Sequence, residues 1–195
     1  AQDSRFQVIS YQHRMDPEIS AFSRSEFYED NALFDAYTIS ERKINHPFMF
    51  RNNQSRSTWI DIPSKISTGS NDREIKAVKS ILKDIIQWAR ENPPTNSHRD
   101  DQDRWEVALL SPYQAQRYGL LSMVRSLTGS NNTTRFDLME MENPSPIMLM
   151  VNTTDRFQGQ EADVVFISLR NGGRIGFLNS PNRMNVALTR AREWR

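Results

Sequence analysis

The sequence predicts an α/β fold, a parallel β-sheet with helices on both faces. Three observations predict it. Extended and helical patterns alternate along the chain, and the runs from Trp105 to Leu110 and from Asp163 to Leu169 are compact and apolar, as strands buried on both faces are. Ahead of both, residues 71–89 carry a capped helical pattern with one apolar stripe.

The elements follow in order. Phe6 to Ser10 alternates apolar and polar residues and leads into YQHRMDP, which reads as a strand ending in a loop. Pro17 suits a first helical turn, and Ile19, Phe22, Phe27 and Tyr28 give a rough stripe over residues 17–29. Residues 31–56 are polar and irregular, and Ser57 to Ile62 reads as a second strand. Asn71 to Glu74 has the form of a capping box: Asn71 accepts from the Glu74 amide while the Glu74 carboxylate reaches back to the Asn71 amide. Ile75, Val78, Leu82, Ile85, Ile86 and Ala89 continue that helix until Asn92-Pro93-Pro94 stops it. Polar loops are expected near 93–104 and 128–146, mobile in part, on either side of a helix over 114–127. The last third holds an extended run from Ile147 to Val151, the Asp163 to Leu169 strand, a loop with Gly172-Gly173, and a helix over Asn182 to Trp194.

Composition narrows the class. The 195 residues suit one domain spanning 1–195, and 37% apolar content excludes wholesale disorder. No stretch approaches the roughly 20 apolar residues that a membrane-spanning helix needs, so the chain reads as intracellular, cytoplasmic or nuclear, with no membrane partner. Without cysteine, and with His13, His46 and His98 far apart, no metal site is expected. A net charge of +1 means that any polyanion binding rests on local placement.

Polar residues gather in four places: YQHRMDP, SPYQAQ, TTDRFQGQE and RMNVALTRAR. Parallel sheets place ligands at the carboxyl ends of their strands, so these segments are expected along one such edge. From Pro181 onward, Arg183, Arg190, Arg192 and Arg195 stand against Glu193 alone. Guanidinium groups held on a packed helix suit phosphate oxygens, or they complement the dipole of their own helix end.

In this order the four motifs resemble those of the second RecA-like domain of a superfamily 1B helicase of the nonsense-mediated-decay type. YQHRMDP at 11–17 is similar to that family's Q-Y-R-M-H-P motif, LLSPYQAQ at 109–116 to its motif IV, VNTTDRFQGQEADVVFISLR at 151–170 to its motif V, and NRMNVALTRAR at 182–192 to its motif VI. The resemblance runs from Gln12 to Arg192 and implies a RecA-like member of the P-loop NTPase superfamily. It also implies that Arg14 and Arg190 reach the γ-phosphate of ATP, that Glu161 binds the ribose hydroxyls with Gln158 and Gly159 beside it, and that His13 stacks on the adenine in place of the usual tyrosine. Asp16 stands where the family has histidine. Ser111, Pro112, Tyr113 and Thr153 are the implied contacts to a single strand of RNA or DNA, while Asp155 is expected to organise its loop from a buried position.

No G-x-x-x-x-G-K-[ST] loop and no D-E-x-x strand occur in the sequence, so the phosphate-loop half is lacking. The resemblance thus implies that ATP and Mg2+ are held mainly by a first RecA-like domain of the same longer protein, a 5′ to 3′ helicase. The rival expectation is a degenerate helicase domain that serves as a non-enzymatic interaction or nucleic-acid-clamping scaffold. The motor reading requires Arg14, Glu161 and Arg190 to meet on an exposed edge at the carboxyl end of the sheet.

Overall fold

The computed structural model describes residues 10–28, 33–40, 48–50, 54–63, 69–94, 104–137, 147–170 and 176–195. The expected Phe6 to Ser10 strand lies almost wholly outside them, as do Gly172-Gly173 and the centres of the two polar loops, 95–103 and 138–146. Among the described residues no helix is long and apolar enough to cross a membrane.

Two short strands, β1 (Tyr11–Gln12) and β2 (Phe34–Asp35), pair in parallel around helix α1 (Pro17–Phe27), and a single-turn helix α2 (Tyr37–Ser40) follows. The 31–56 stretch therefore contains elements that its polar composition hid. They are too short to show a period, and they are held by contacts distant in sequence. The Asp35 carboxylate takes hydrogen bonds from Gln12 Nε2 and Ser20 Oγ, both at 2.6 Å.

Helix α3 (Asp72–Glu91) buries Val78, Leu82, Ile85 and Ala89, each side chain of valine or leucine size contributing about 1.5–3 kcal/mol when fully withdrawn from water. Strand β3 (Trp105–Ser111) and helix α4 (Gln114–Thr128) fall where the sequence places them. Gly119 lets α4 approach the start of α3: a Cβ there would lie 2.4 Å from Ile75 Cδ1. Strand β4 (Arg135–Asp137) corrects the expectation of continuous loop over 128–146. It pairs antiparallel with β5 (Ile147–Thr153) and inserts Phe136, 1% exposed, into the core. One apolar residue between two polar ones carries no sequence signal for a strand.

Strand β6 (Ala162–Ile167) is followed by helix α5 (Pro181–Leu188) and strand β7 (Ala191–Trp194). The helix expected to run to Trp194 thus ends six residues early. Residues 191–194 instead pair in parallel with β6, which supplies the hydrogen bonds of an otherwise open edge, and all four are buried. The strand expected over Ser57 to Ile62 does not form. Among the described residues its one backbone–backbone hydrogen bond is Thr58 N–H donating to Arg195 O (2.8 Å), and Arg195 N–H donates to the adjoining Arg56 O (2.9 Å).

The five-stranded order is β4-β5-β3-β6-β7, parallel except for β4. Strand alternation sorts the core into two layers. Val107, Leu109, Leu149 and Val151 pack with α3 and α4, and Ala108, Leu110, Met148 and Met150 pack with Met15 and Ile19 on the side of α1.

Candidate functional site

The first motif is shaped by a buried amide. Gln12 Oε1 accepts from the backbone amides of Arg14 (2.9 Å) and Met15 (2.7 Å), and Nε2 donates to Met15 O (2.9 Å). That turn leaves His13 exposed and Arg14 half-buried. Asp16, where the family has histidine, caps α1 by accepting from Glu18 N–H at 2.9 Å, and its own N–H donates to Arg192 O at 2.8 Å.

Arg14 Nε donates to the Glu161 carboxylate and Nη1 to Thr189 O at 3.2 Å, contacts that span 147 and 175 residues of chain. Glu161 also accepts from Arg192 Nη1 at 2.8 Å. Arg190 lies beside this pair, donating to Val186 O (2.8 Å), Gln160 O (3.3 Å) and Thr189 Oγ1 (3.3 Å). It has no carboxylate partner among the described residues. Arg14, Glu161 and Arg190 therefore do come together, with side chains of Arg14 and Glu161 about one-third exposed.

They meet at the other end of the sheet from the one expected. Glu161 immediately precedes β6 and Arg190 immediately precedes β7, so the cluster lies at the amino ends of these strands. The cause is the parallel arrangement itself. β5 and β6 both run alongside β3, so residues 154–161 have to carry the chain from the carboxyl level of Thr153 back to the amino level of Ala162. Phe157, fully buried, anchors this crossover, and Gly159 turns it at φ +83°, with open space where a Cβ would sit. The glycine serves the backbone conformation. Gln158 is exposed on the same turn.

Burial opposes ionisation of Glu161, but the Arg14 hydrogen bond and the charges of Arg192 and Arg14 outweigh it and hold the carboxyl below its ordinary value. A depressed acid stabilises the fold above its unfolded value, and that contribution disappears as pH falls through the folded value. Thermal melts are therefore expected to steepen their decline below about pH 4, the ordinary glutamate range, and Glu161→Gln to flatten that acid limb. An unchanged limb in the variant would count against it. Burial first, and the like charge of Arg14 second, lower the affinity of Arg190 for its proton.

The sequence reading missed the residue that holds the cluster from beneath. Arg192, 7% exposed, meets Glu106, Glu161 and Asp163 at once, with its Nε 3.2 Å from Asp163 Oδ1. Asp163 Oδ2 in turn accepts from Glu106 N–H at 2.8 Å. A signal was present: Glu106 and Asp163 each take the second position of a strand and are followed by four apolar residues.

At the carboxyl end, about 20 Å away along β3, sit Ser111, Pro112, Tyr113 and Thr153. Ser111 and Thr153 are register partners and both buried. Their hydroxyls accept from the amides of Tyr113 (3.2 Å) and Arg156 (3.4 Å), closing their own turns. Asp155 is exposed, which corrects the expectation that it is buried, and it organises its loop through an ion pair with Arg183 of α5. A cavity of about 310 Å³ opens beside this end, lined by Trp59, Ile81, Phe166 and Trp194 together with Pro112 and Tyr113, and none of Arg14, Glu161 or Arg190 borders it.

The AAA domain family matches residues 1–194. The chain is 30% identical to the ATP-dependent helicase NAM7 of Saccharomyces cerevisiae over 94% of its own length and 18% of that protein. It is 27% identical to the helicase sen1 of Schizosaccharomyces pombe, covering 95% of the chain and 10% of that protein. With the putative regulator of nonsense transcripts 1 of Takifugu rubripes the identity is 29%, over 94% and 15%. The chain spans less than one-fifth of the length of these curated relatives.

Proposed function

This chain belongs to the AAA domain family, and on that footing we propose that it is the second motor domain of an ATP-dependent 5′ to 3′ helicase acting on single-stranded RNA or DNA. Its fold is the RecA-like α/β sheet with helices on both faces. The observation that carries the proposal is the meeting of Arg14, Glu161 and Arg190, from three separate elements, at one half-exposed end of that sheet.

The donor set fits a nucleoside triphosphate. Two guanidinium groups stand side by side, one of them without a carboxylate partner among the described residues, and they suit the charge that develops on a transferred phosphoryl group. Glu161 suits a pair of ribose hydroxyls, and the exposed His13 on the Arg14 turn suits a base. In this reading Arg14 and Arg190 hold and neutralise the phosphate end, and Glu161 orients the sugar. Among the described residues no group of His, Asp and Glu could hold a metal ion, so the reading assigns Mg2+ to the phosphate-loop half, where it would offset phosphate charge. Ser111, Pro112, Tyr113 and Thr153, at the opposite end of the sheet, are assigned to the strand. The whole chain is taken as one domain.

The non-enzymatic scaffold keeps one observation in its favour: Arg14 is ion-paired with Glu161 inside this domain. The two readings separate on turnover. The 195-residue chain alone is expected to hydrolyse no ATP, because it lacks the phosphate cradle, whereas protein joining it to the phosphate-loop half hydrolyses ATP in a strand-dependent manner. Activity that follows the isolated chain through repurification sinks this division of labour, and an inert longer protein favours the scaffold.

A further inference from the structure

The turn that leaves β6 holds Arg170 at φ +49°, the one positive φ at a non-glycine position among the described residues. A buried acid keeps it there. Glu74, in the first turn of α3 and 8% exposed, accepts from Arg170 N–H (2.9 Å) and Ser168 Oγ (2.6 Å) on one oxygen and from Asn71 Nδ2 (2.8 Å) on the other. The expected capping box is thus half formed. Asn71 caps Glu74 N–H at 3.2 Å, but its own N–H donates to Gln116 Oε1 at 2.6 Å, and the Glu74 carboxylate is diverted to a turn 94 to 96 residues away. Gln116, fully buried in α4, completes the network by donating to Ser168 Oγ at 2.8 Å.

That placement builds a surface. The Arg170 guanidinium lies over the Tyr113 ring, 5.5 Å from its centre. Tyr113 is held from below by Ser111 Oγ and from the side by Gly176, where a Cβ would come within 2.4 Å of the Tyr113 hydroxyl. Arg14, Arg183 and Arg192 are all ion-paired with carboxylates. The Arg170 side chain has no hydrogen bond or ion pair among the described residues, and its Nε is a buried donor without an acceptor.

We propose that Glu74 is a positioning residue for strand binding: it locks the Ser168–Arg170 turn so that Arg170, stacked on Tyr113, offers an uncommitted guanidinium to a phosphate of a single strand. The inference rests on the reading of this sheet end as the strand track. It adds two residues, Glu74 and Arg170, that do not belong to the implied contact set.

The test is fluorescence anisotropy of a fluorescein-labelled oligouridine titrated with the full-length protein across a series of KCl concentrations. Arg170→Gly, which tolerates the positive φ and removes the guanidinium, is expected to weaken binding about tenfold and to lower the slope of log K against log salt by about one. Glu74→Gln should reproduce both changes. The double variant should bind no more weakly than Arg170→Gly alone, even though its melting temperature falls further. A purely structural Glu74 would shift melting and leave the salt slope intact, which overturns the proposal, as does an unchanged slope in Arg170→Gly. Additive losses in the double variant overturn it as well. If Glu74→Gln does not fold, Ser168→Ala takes its place with the same expectations, and Arg170→Gly still decides the phosphate contact. No binding by the unsubstituted protein removes the strand reading together with this inference, whereas binding that ignores Arg170 removes this inference alone.

Discussion

In protein that joins this chain to its phosphate-loop half, Arg190→Ala is expected to lower ATP turnover by about 10³-fold or more, the scale on which an arginine at a transferred phosphoryl group acts. The geometry around Arg190 is what makes the effect large. Its Nε and one Nη hold backbone carbonyls of α5 and of the crossover, which fixes the guanidinium without neutralising it. Burial and the neighbouring Arg14 make its charge costly in the absence of an anion. Arg14→Ala is expected to fall nearly as far, with the added effect of releasing Glu161 from its hydrogen bond. Steady-state hydrolysis, oligonucleotide affinity and melting temperature, measured on the same preparations, decide the matter. Hydrolysis should collapse while strand affinity stays within about twofold, because the residues proposed to hold the strand sit about 20 Å away at the other end of β3. Parallel loss of both activities with a lowered melting temperature would instead make the arginines structural.

The largest loss of stability is expected from Arg192→Ala, about 3–5 kcal/mol, the usual cost of removing one partner from a buried charge cluster. Arg192 satisfies three carboxylates on three elements, Glu106 of β3, Glu161 of the crossover and Asp163 of β6. Without it, the Glu106 and Asp163 carboxylates lose the guanidinium that bridges them. For a chain of this size the loss corresponds to a melting temperature lower by roughly 10 °C. Arg192→Lys keeps the charge but cannot span three acceptors, so it should recover only part of the loss. Denaturant titration with a constant m-value checks the magnitude. A change below about 1 kcal/mol, the range of exposed pairs, would mean that the cluster is solvated and that Arg192 does not hold the site together.

The elements legible in the sequence are those whose pattern repeats within the element. Helix α3 declares itself through Asn71 and the Val78, Leu82, Ile85, Ala89 stripe, and β3 and β5 through the apolar runs Val107 to Leu110 and Ile147 to Val151. What failed was shorter or depended on a distant partner. Residues 191–194 carry a helical prefix and two charges, yet they become a strand because the edge of β6 is open beside them. Ser57 to Ile62 alternates like a strand, but among the described residues only Arg195 offers it a backbone partner. Phe136 fills the core from a strand of three residues.

The candidate site divides in the same way. The family resemblance named Arg14, Glu161 and Arg190 as a set, because each is recognisable from the few residues of the motif around it. Position along the sheet was decided by topology. A loop that leaves the carboxyl end of one parallel strand has to return to the amino end of the next, so FQGQE starts near the strand residues and delivers Glu161 to the opposite end. Glu74 shows the same limit at the scale of one side chain. Its sequence neighbours predict a helix cap, and only packing against Ser168 and Arg170, more than 90 residues on, diverts its carboxylate to hold a turn. Local patterns report what a segment can do with its own backbone. Which buried polar group it satisfies is set by the chain that folds over it, since a buried carboxylate is stabilised by whatever donors the tertiary structure brings within reach.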